Sequence, residues 1–384
     1  MPTISLCMIT RNEESCIARC INSVREIVDE IVIVDTGSTD KTIDIAKGFN
    51  AKVISHKWNN DFSEARNISI RNATKEWILV LDADETIARN DLEKIKKLTE
   101  NENLDGYKLT QRNYFKAEGI KANDGYEESK NYSGWVPSEL VRLFRNKDKF
   151  FFENVIHEVI SGSILKAGGK IARTGIPIHH FRDIKDAGFD EEKTRNYFIM
   201  EEKQIELTPN NPKPYYELGR LCMQKKDYKK ASELFEKSLE LLKAIKDKDL
   251  LIYNYIYSDL GEAYLRQKEY DAAKKMLEKA VLVNPKDYTA YFYLGLAYDE
   301  QLDFDNALLN YKKSIELSPM ALNAYNNLAE IYLKRKKYDK AYSILRKAIR
   351  LNHPKKEQML KIINALKANG LIKDEDIGYS VSMG

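Results

Sequence analysis

Cysteine and histidine are scarce in this 384-residue chain. The four cysteines, Cys7, Cys16, Cys20 and Cys222, are irregularly spaced, and only five histidines accompany them. Cys16 and Cys20 stand four residues apart, but no second cysteine cluster exists to complete a zinc site. We therefore expect four ordinary reduced thiols, as in a cytoplasmic protein.

Excess charge of one sign and long apolar runs are also missing. The net charge of +3 gives no electrostatic case for nucleic acid or an anionic membrane as a partner. No segment approaches the roughly 20 apolar residues of a membrane span. The N-terminus opens directly into a strand pattern, without a basic region or an apolar signal core. These absences predict a soluble, cytoplasmic protein. The length of the chain is enough for two or three domains.

Short apolar runs alternate with helical stretches in the first half. The runs "TISLCMI", "EIVIVD", "AKVISH" and "EWILVLD" read as strands, and residues 12–25, 41–49 and 62–73 have helical spacing between them. Near-continuous apolar strands separated by helices indicate βαβ units and a mostly parallel sheet that is covered on both faces. From about residue 105 to 181 the pattern changes to strands and loops.

The second half repeats. Sets spaced by 34 residues are Gly261, Gly295 and Ala329; Tyr270, Phe304 and Tyr338; and Ala273, Ala307 and Ala341. An earlier set, Gly219, Tyr228 and Ala231, is offset by 42 residues through an insertion. A period of 34, with small residues where two helices cross, is the tetratricopeptide pattern, in which helix pairs stack into a superhelix. We predict four units over residues 209–354, a capping helix over 355–369 and a flexible tail over 370–384.

The segment "DTGS" at residues 35–38 has two readings. It occurs around the carboxylates of aspartic proteases, but such an enzyme needs two of these segments in an all-β setting, and this chain has one. Here Asp35 ends an apolar strand and precedes a helix. Thr10 and Asp82 end two other strands, and ligand sites of open parallel sheets form at such ends. We therefore interpret Asp35 as part of a ligand site rather than as a protease carboxylate.

A pair of acids follows the fourth strand, in "LDADE". Asp82 and Asp84 are two residues apart, so a strand that enters a turn can aim both carboxylates at one cation. Hard oxygen ligands suit Mg²⁺ or Mn²⁺, which leave positions open for phosphate oxygens. The alternative is that both acids merely cap the following helix.

Five segments together carry a family resemblance: "CMITRNEESCIARCINSV", "IVIVDTGSTDKTIDIA", "WNNDFSEARNISIRNATKEWILVLDADE", "RLFRN" and "VIHEVI". They resemble family 2 glycosyltransferases of the GT-A fold, more narrowly the subgroup with C-terminal tetratricopeptide repeats that includes sublancin-type peptide S-glycosyltransferases. The resemblance implies an α/β, Rossmann-like GT-A catalytic domain over residues 1–182, a helical linker over 183–208 and the repeats after it. It also implies metal-dependent, inverting transfer from a UDP-sugar, with Asp82 and Asp84 as the Asp-x-Asp motif.

The resemblance further implies which residues hold the sugar nucleotide. Asp35 would accept a hydrogen bond from the uracil ring. The alternative is a purely structural role, in which Asp35, Ser38 and Thr39 cap the helix after the strand. Further contacts are implied for Thr10, Asn12, Glu13 and Ala83. Arg66, in "DFSEARN", would reach a phosphate or fix the Asp-x-Asp loop; the alternative is an ion pair on the exposed face of a helix.

Two histidine-containing segments remain. "ENVIHEVI" contains His157 and Glu158, and inverting transfer needs a base to take the acceptor's proton, so Glu158 is the first candidate and His157 the second. We expect the pair to lie on a strand, where adjacent side chains point to opposite faces, so that only one of the two meets the acceptor. In "IPIHHFR", His180 precedes an aromatic residue and would be a third metal ligand or a diphosphate contact; the alternative is a core histidine. The family often continues with Gly-Tyr, whereas Arg182 and Asp183 follow here. The aromatic loop over residues 114–135 would form an acceptor lid or simply pack.

The leading interpretation is a hexosyltransferase that uses Mn²⁺ or Mg²⁺ and moves a hexose or N-acetylhexosamine to a peptide or protein. Cysteine and serine or threonine are the candidate acceptors, and the repeats would hold that acceptor or pair two copies of the chain. A cell-surface glycan or a lipid-linked acceptor is the alternative within the same enzyme class. The alternative from a different class is a repeat scaffold with an inactive transferase-like domain, against which the intact Asp82 and Asp84 argue.

Overall fold

The computed structural model describes residues 2–116, 125–181, 191–245 and 250–372. It divides into two compact units, Met1–Leu207 and Thr208–Gly384. The first unit contains a mixed sheet with helices and the second is helical throughout its described part, which confirms the predicted fold class. Within the described residues, no helix has the length and apolar character to cross a membrane. The tail that was predicted to be flexible lies outside the described residues from residue 373 onward.

Among the described residues of the first unit, eight strands form one sheet. Its strands are β1 (Ile4–Thr10), β2 (Glu30–Asp35), β3 (Lys52–Ser55), β4 (Trp77–Val80), β5 (Glu85–Thr86), β6 (Gly106–Phe115), β7 (Gly134–Arg145) and β8 (Ile171–His180). The strand order is β3-β2-β1-β4-β7-β6-β8-β5. Strands β1 to β4 pair in parallel, as the βαβ pattern predicts. The other half is mixed, because β7 runs antiparallel to both β4 and β6 while β8 runs parallel to β6.

Helices accompany the sheet, and those that pack on its parallel strands explain why β1, β2 and β4 are rich in apolar residues. They are α1 (Ile17–Val24), α2 (Thr42–Gly48), α3 (Phe62–Arg71), α4 (Leu92–Thr99), α5 (Ser161–Lys166) and α6 (Glu191–Leu207). Successive side chains of a strand point to opposite faces. Leu6 and Met8 of β1 accordingly pack with Ile17 and Ile21 of α1, whereas Cys7 packs with Ile70 of α3. Both faces are therefore buried. All four cysteines are free and buried, as expected.

The second unit consists of paired helices. They are α7 (Pro212–Gln224) with α8 (Tyr228–Lys243), α9 (Leu250–Arg266) with α10 (Tyr270–Val283), α11 (Tyr288–Glu300) with α12 (Phe304–Leu317), and α13 (Leu322–Lys334) with α14 (Tyr338–Arg350), followed by α15 (Lys356–Ala368). The recurring glycine has a steric cause. A Cβ at Gly261 would lie 2.5 Å from Cγ of Leu277, and one at Gly295 would lie 2.7 Å from Tyr311. Only a residue without a side chain lets the two helices of a pair approach this closely.

Candidate active site

The carboxyl ends of β1 and β2 meet at one edge of the sheet, where Thr10 lies opposite Asp35. The Asp35 side chain is buried, with 2% of its surface exposed. One carboxylate oxygen accepts hydrogen bonds from the backbone N–H groups of Gly37 (3.0 Å) and Ser38 (2.9 Å). Gly37 has φ +110°, a conformation that favours glycine. Asp35 thus shapes its own loop, while Asp40, two residues before α2 begins, accepts a hydrogen bond from the N–H of Thr42 (2.9 Å).

The loop after β1 reaches the same edge. Asn12 has φ +58°, and its side-chain oxygen accepts a hydrogen bond from the backbone N–H of Thr39 at 2.8 Å. Glu13 accepts a hydrogen bond from the Cys16 thiol at 3.0 Å. Burial raises the pKa of Glu13, and the charges of Asp84 and Asp82 add to this effect. The structure therefore brings Glu13 close to the acids that follow β4.

Asp82 is held by two arginines from different elements. Its Oδ1 lies 2.6 Å from Nη2 of Arg66 on α3, and its Oδ2 lies 3.0 Å from Nη2 of Arg142 on β7. Arg142 also binds Glu85 Oε1 at 2.9 Å. Burial alone would raise the pKa of Asp82, but the two guanidinium groups outweigh it and hold the pKa well below its usual range. Neighbouring Ala83 is buried, with 4% exposure.

Arg66 connects Asp82 to the segment that carries the base candidates. Its Nε donates to Glu158 Oε1 at 2.7 Å, so the three side chains form a chain of charge-assisted hydrogen bonds. The alternative of an exposed ion pair on a helix surface is wrong, because Arg66 is only 6% exposed. Its Nη1 is buried and has no hydrogen-bond partner among the described residues. Leaving a buried donor without an acceptor costs free energy, so an acceptor that reached this atom would be bound favourably.

Asp84 pairs with His180 rather than with Asp82. Strand β5 pairs with the end of β8, which sets Glu85 opposite His180. His180 Nε2 then lies 3.0 Å from Asp84 Oδ2, and its Nδ1 lies 2.7 Å from Asn113 Oδ1. Burial would lower the pKa of His180, but the hydrogen bond and the charge of Asp84 outweigh it and raise the pKa. His179 is fully buried, and its Nδ1 lies 2.7 Å from the Tyr114 hydroxyl, so the two rings have different partners as strand alternation predicts.

The three predicted metal ligands do not form one cluster. Among the described residues, no group of three or more His, Cys, Asp or Glu side chains is arranged to hold a metal ion. Asp84 and His180 are adjacent, whereas both oxygens of Asp82 are engaged by arginines. Mg²⁺ commonly takes one or two protein ligands and fills its other positions with water and phosphate oxygens. Asp84 supplies a carboxylate of the kind that such an ion takes, whereas His180 Nε2 would join it only after giving up its contact with Asp84, and Asp82 only after leaving an arginine.

Residues 154–158 form a loop, so the expectation that His157 and Glu158 lie on a strand is wrong. A single antiparallel bridge between Glu153 and Val159 closes the loop, and His157 has φ +54°. The two side chains nevertheless diverge. Glu158 meets Arg66, whereas His157 Nε2 lies 3.2 Å from Glu201 Oε1 on α6. The turn of the backbone, not strand alternation, separates them.

Comparison with known proteins identifies the first unit. Residues 5–161 match the model of glycosyl transferase family 2, and tetratricopeptide repeat models match residues 212–281, 258–311 and 295–353. A TPR repeat-containing protein of Synechococcus elongatus is 31% identical over 75% of this chain and 68% of its own length. The chain belongs to the family 2 glycosyltransferases with C-terminal tetratricopeptide repeats.

A glycosyltransferase is also among the similar curated proteins. The prophage-derived glycosyltransferase SunS of Bacillus subtilis is 30% identical over 64% of this chain. The chain spans only 55% of the length of SunS. Among solved structures, the crystal structure of MamA is similar at 26% identity, covering 46% of this chain and 99% of that chain with a TM-score of 0.39.

The predicted acceptor lid of the glycosyltransferase lies only partly within the structure, because residues 117–124 are outside the described residues. Of the remainder, Tyr114 is 5% exposed and stacks on Tyr132 with ring centroids 4.9 Å apart. The Arg112 guanidinium lies 4.6 Å from the centre of the Trp135 ring. These described aromatics pack against one another or against a cation.

Sequence reasoning missed three buried charged residues that contact the predicted site residues. Arg142 and Glu85 are buried partners on β7 and β5, and Glu201 is buried on α6. Arg142 carried a signal, because it interrupts the apolar run "LVRLF", and a charge buried in a strand needs a partner. Glu85 and Glu201 carried none, since their partners are distant in sequence and depend on the strand order and on the packing of α6.

Proposed function

We propose that this glycosyltransferase moves a hexose or N-acetylhexosamine from a UDP-sugar to a peptide or protein, with inversion and with Mn²⁺ or Mg²⁺. One observation carries the proposal. The Asp84–His180 pair and the buried Asp35 loop occupy the carboxyl edge of the parallel strands, where open sheets of this class bind ligands.

A sugar nucleotide would be held by the loops that end β1 and β2. The carboxylate of Asp35 is fixed by its own backbone, so it presents a preorganised acceptor for a base N–H. The Asn12 side chain connects the first loop to the second by a hydrogen bond, and the Thr10 hydroxyl is hydrogen-bonded to Asp35. The unsatisfied Nη1 of Arg66 supports a further acceptor near this guanidinium, and a diphosphate oxygen is an acceptor of the right charge.

The divalent ion would be held by Asp84 and His180. When bound, such an ion balances the charge that develops on the departing diphosphate. Asp82 has a different task in this arrangement. Held between Arg66 and Arg142, it fixes the turn that carries Ala83 and Asp84, and so sets where the Asp84 carboxylate lies.

The loop of residues 154–158 would supply the base. In the inverting reaction, a new bond forms between the acceptor atom and the anomeric carbon while the bond to the diphosphate oxygen breaks and its electron pair stays with UDP. The acceptor's proton goes to a base on the other face of the sugar. Glu158 is the first candidate for this role, with His157 second, and Arg66 connects Glu158 to the turn that follows β4.

A peptide or protein acceptor is supported by the repeats, since stacked helix pairs present extended surfaces for polypeptides. Whether the acceptor atom is sulfur or oxygen changes the demand on the base. A thiol with a pKa near 8.5 is partly ionised at neutral pH, whereas a hydroxyl is not.

The test is incubation of the full chain with a panel of UDP-sugars and Mn²⁺, with UDP release as the readout. Metal-dependent release that EDTA abolishes supports the donor and the ion, and Asp84→Asn is the matched variant because it keeps the size of the side chain. Release with GDP- or dTDP-sugars only would refute the UDP assignment. Adding Cys-containing and Ser-containing peptides, with intact mass as the readout, tests the acceptor; sugar transfer to neither peptide but to a glycan would refute a peptide acceptor.

A further inference from the structure

Glu201 is a buried carboxylate that none of the predicted roles uses. It lies on α6 and is 2% exposed. Its Oε1 lies 3.2 Å from His157 Nε2, and its Oε2 has no hydrogen-bond partner within the part of the chain that the structure describes. Burying a charge is costly unless a partner compensates it. His157 contacts this carboxylate, so loss of the contact would leave a buried charge with less compensation.

The loop that carries His157 is held in an unfavourable conformation. Asn154 (φ +76°) and His157 (φ +54°) both lie in the left-handed region, which costs free energy for residues other than glycine. Such conformations persist when surrounding contacts determine them. Helix α6 supplies these contacts, because Gln204 Oε1 accepts a hydrogen bond from the backbone N–H of Val155 at 2.6 Å, and Val155 packs with Met200.

The next residue, Glu158, faces the opposite way. Its carboxylate accepts from Arg66 Nε at 2.7 Å, and Arg66 in turn binds Asp82. Neighbouring Cα atoms are about 3.8 Å apart, so a displacement of His157 is transmitted to Glu158. The loop is therefore fixed from both sides, by α6 on one and by Arg66 on the other.

We propose that Glu201 is a positioning residue for glycosyl transfer, which acts through His157 to hold Glu158 in place against Arg66. This inference rests on one part of the proposed function, namely that the loop of residues 154–158 supplies the base. It names a helix outside the matched family region, since that match ends at residue 161 and α6 begins at Glu191. A misplacement of about 1 Å can lower a catalysed rate about 100-fold.

The test compares Glu201→Ala and Glu201→Gln with Glu206→Ala in the full chain. Glu206 is an exposed carboxylate on the same helix and serves as the matched control. UDP release should fall about 10- to 100-fold in kcat for Glu201→Ala, with the donor KM within about 2-fold, because the base moves while the donor loops do not. Glu201→Gln should recover most of the rate, since its amide oxygen still accepts from His157. An unchanged kcat in Glu201→Ala, or a Gln variant as slow as the Ala variant, would overturn the positioning role.

A second measurement needs no donor. Hydrogen exchange of backbone amides in residues 153–160 should be faster in Glu201→Ala than in the wild type and in Glu206→Ala. Unchanged exchange would overturn the inference even if the enzyme is active. Absence of turnover with every sugar nucleotide, together with faster exchange, would instead refute the proposed function while supporting the role of Glu201 in holding the loop.

Discussion

Replacing Arg142 with methionine tests the buried charge network most directly. Arg142→Met keeps an apolar stem of similar length but removes the guanidinium that binds Glu85 Oε1 (2.9 Å) and Asp82 Oδ2 (3.0 Å). Glu85 is fully buried, whereas the Asp82 side chain is 32% exposed and keeps Arg66. The loss should therefore come mainly from Glu85, which is left as an uncompensated charge.

The expected loss is about 3 kcal/mol in the free energy of unfolding at pH 7. Removing one partner of a buried ion pair typically costs about 3–5 kcal/mol. The lower end applies because Glu85 keeps two hydrogen bonds, one from the Gln111 amide and one from the backbone N–H of Asp82. In the Glu85→Gln background the same substitution should cost about 1 kcal/mol, since no charge is left behind.

The sign of the pH dependence follows from the pKa of Glu85. Burial raises this pKa, and the charge of Arg142 opposes that effect, so removing Arg142 should raise the pKa further. The folded variant then binds a proton at a pH where the unfolded chain does not, and its stability falls as pH rises. Asp82 keeps the Arg66 guanidinium, the stronger of the two charges that lower its pKa, so Glu85 should dominate the pH dependence. The penalty of Arg142→Met should therefore shrink between pH 7 and pH 5.

Tryptophan fluorescence in urea is the suitable assay. The chain has three tryptophans, and Trp58, Trp77 and Trp135 all lie in the first unit, so the signal reports the unfolding of that unit. A loss below about 1 kcal/mol at pH 7, or a loss that does not shrink at pH 5, would refute the claim that Glu85 depends on Arg142 for charge compensation.

Three further outcomes are expected. Asp84→Ala should leave the fluorescence-detected unfolding midpoint nearly unchanged while removing most UDP release. Undiminished UDP release by this variant, or full activity of the wild type in excess EDTA, would contradict the metal role. Glu158→Gln should lower transfer to a hydroxyl acceptor about 10²- to 10⁴-fold with donor binding retained. Raising the pH toward 9 should restore part of the rate with a thiol acceptor but not with a hydroxyl acceptor. Wild-type rates with both acceptors would leave His157 as the base. Gly261→Ala should destabilise the repeats by about 1–3 kcal/mol, because the new Cβ would lie 2.5 Å from Leu277. Circular dichroism in urea measures this loss, and an unchanged unfolding midpoint would contradict the close helix crossing.

Local patterns were enough to predict the parallel half of the sheet and the helix pairs. Strand β2 was predicted over its observed bounds, because its four consecutive apolar residues, flanked by Glu30 and Asp35, are too few for a helix and typical of a buried strand. The repeats were equally accessible, since Gly219, Gly261 and Gly295 each meet a side chain of the partner helix at the same point of the unit. In both cases the cause of the structure lies within about 20 residues of its effect.

The rest depended on contacts between distant segments. That Asp82 lies between arginines follows from the packing of α3 and from the position of β7 beside β4, and the strand order is not visible in any single run of residues. The loop of residues 154–158 was misread for a related reason. Its apolar residues Val155 and Ile156 look like part of a strand, but they pack with Met200 of α6.

The charges of the network bear on how ion and nucleotide would bind together. Three carboxylates, Asp82, Glu85 and Glu158, face two guanidinium groups, Arg66 and Arg142, which leaves an excess of one negative charge. Asp84, at the margin of this network, pairs with His180 instead. A diphosphate that approached these groups without a cation would meet like charge in a partly desolvated site, where screening is weak. The ion and the diphosphate are therefore expected to promote each other's binding, and this coupling must act equally in both directions.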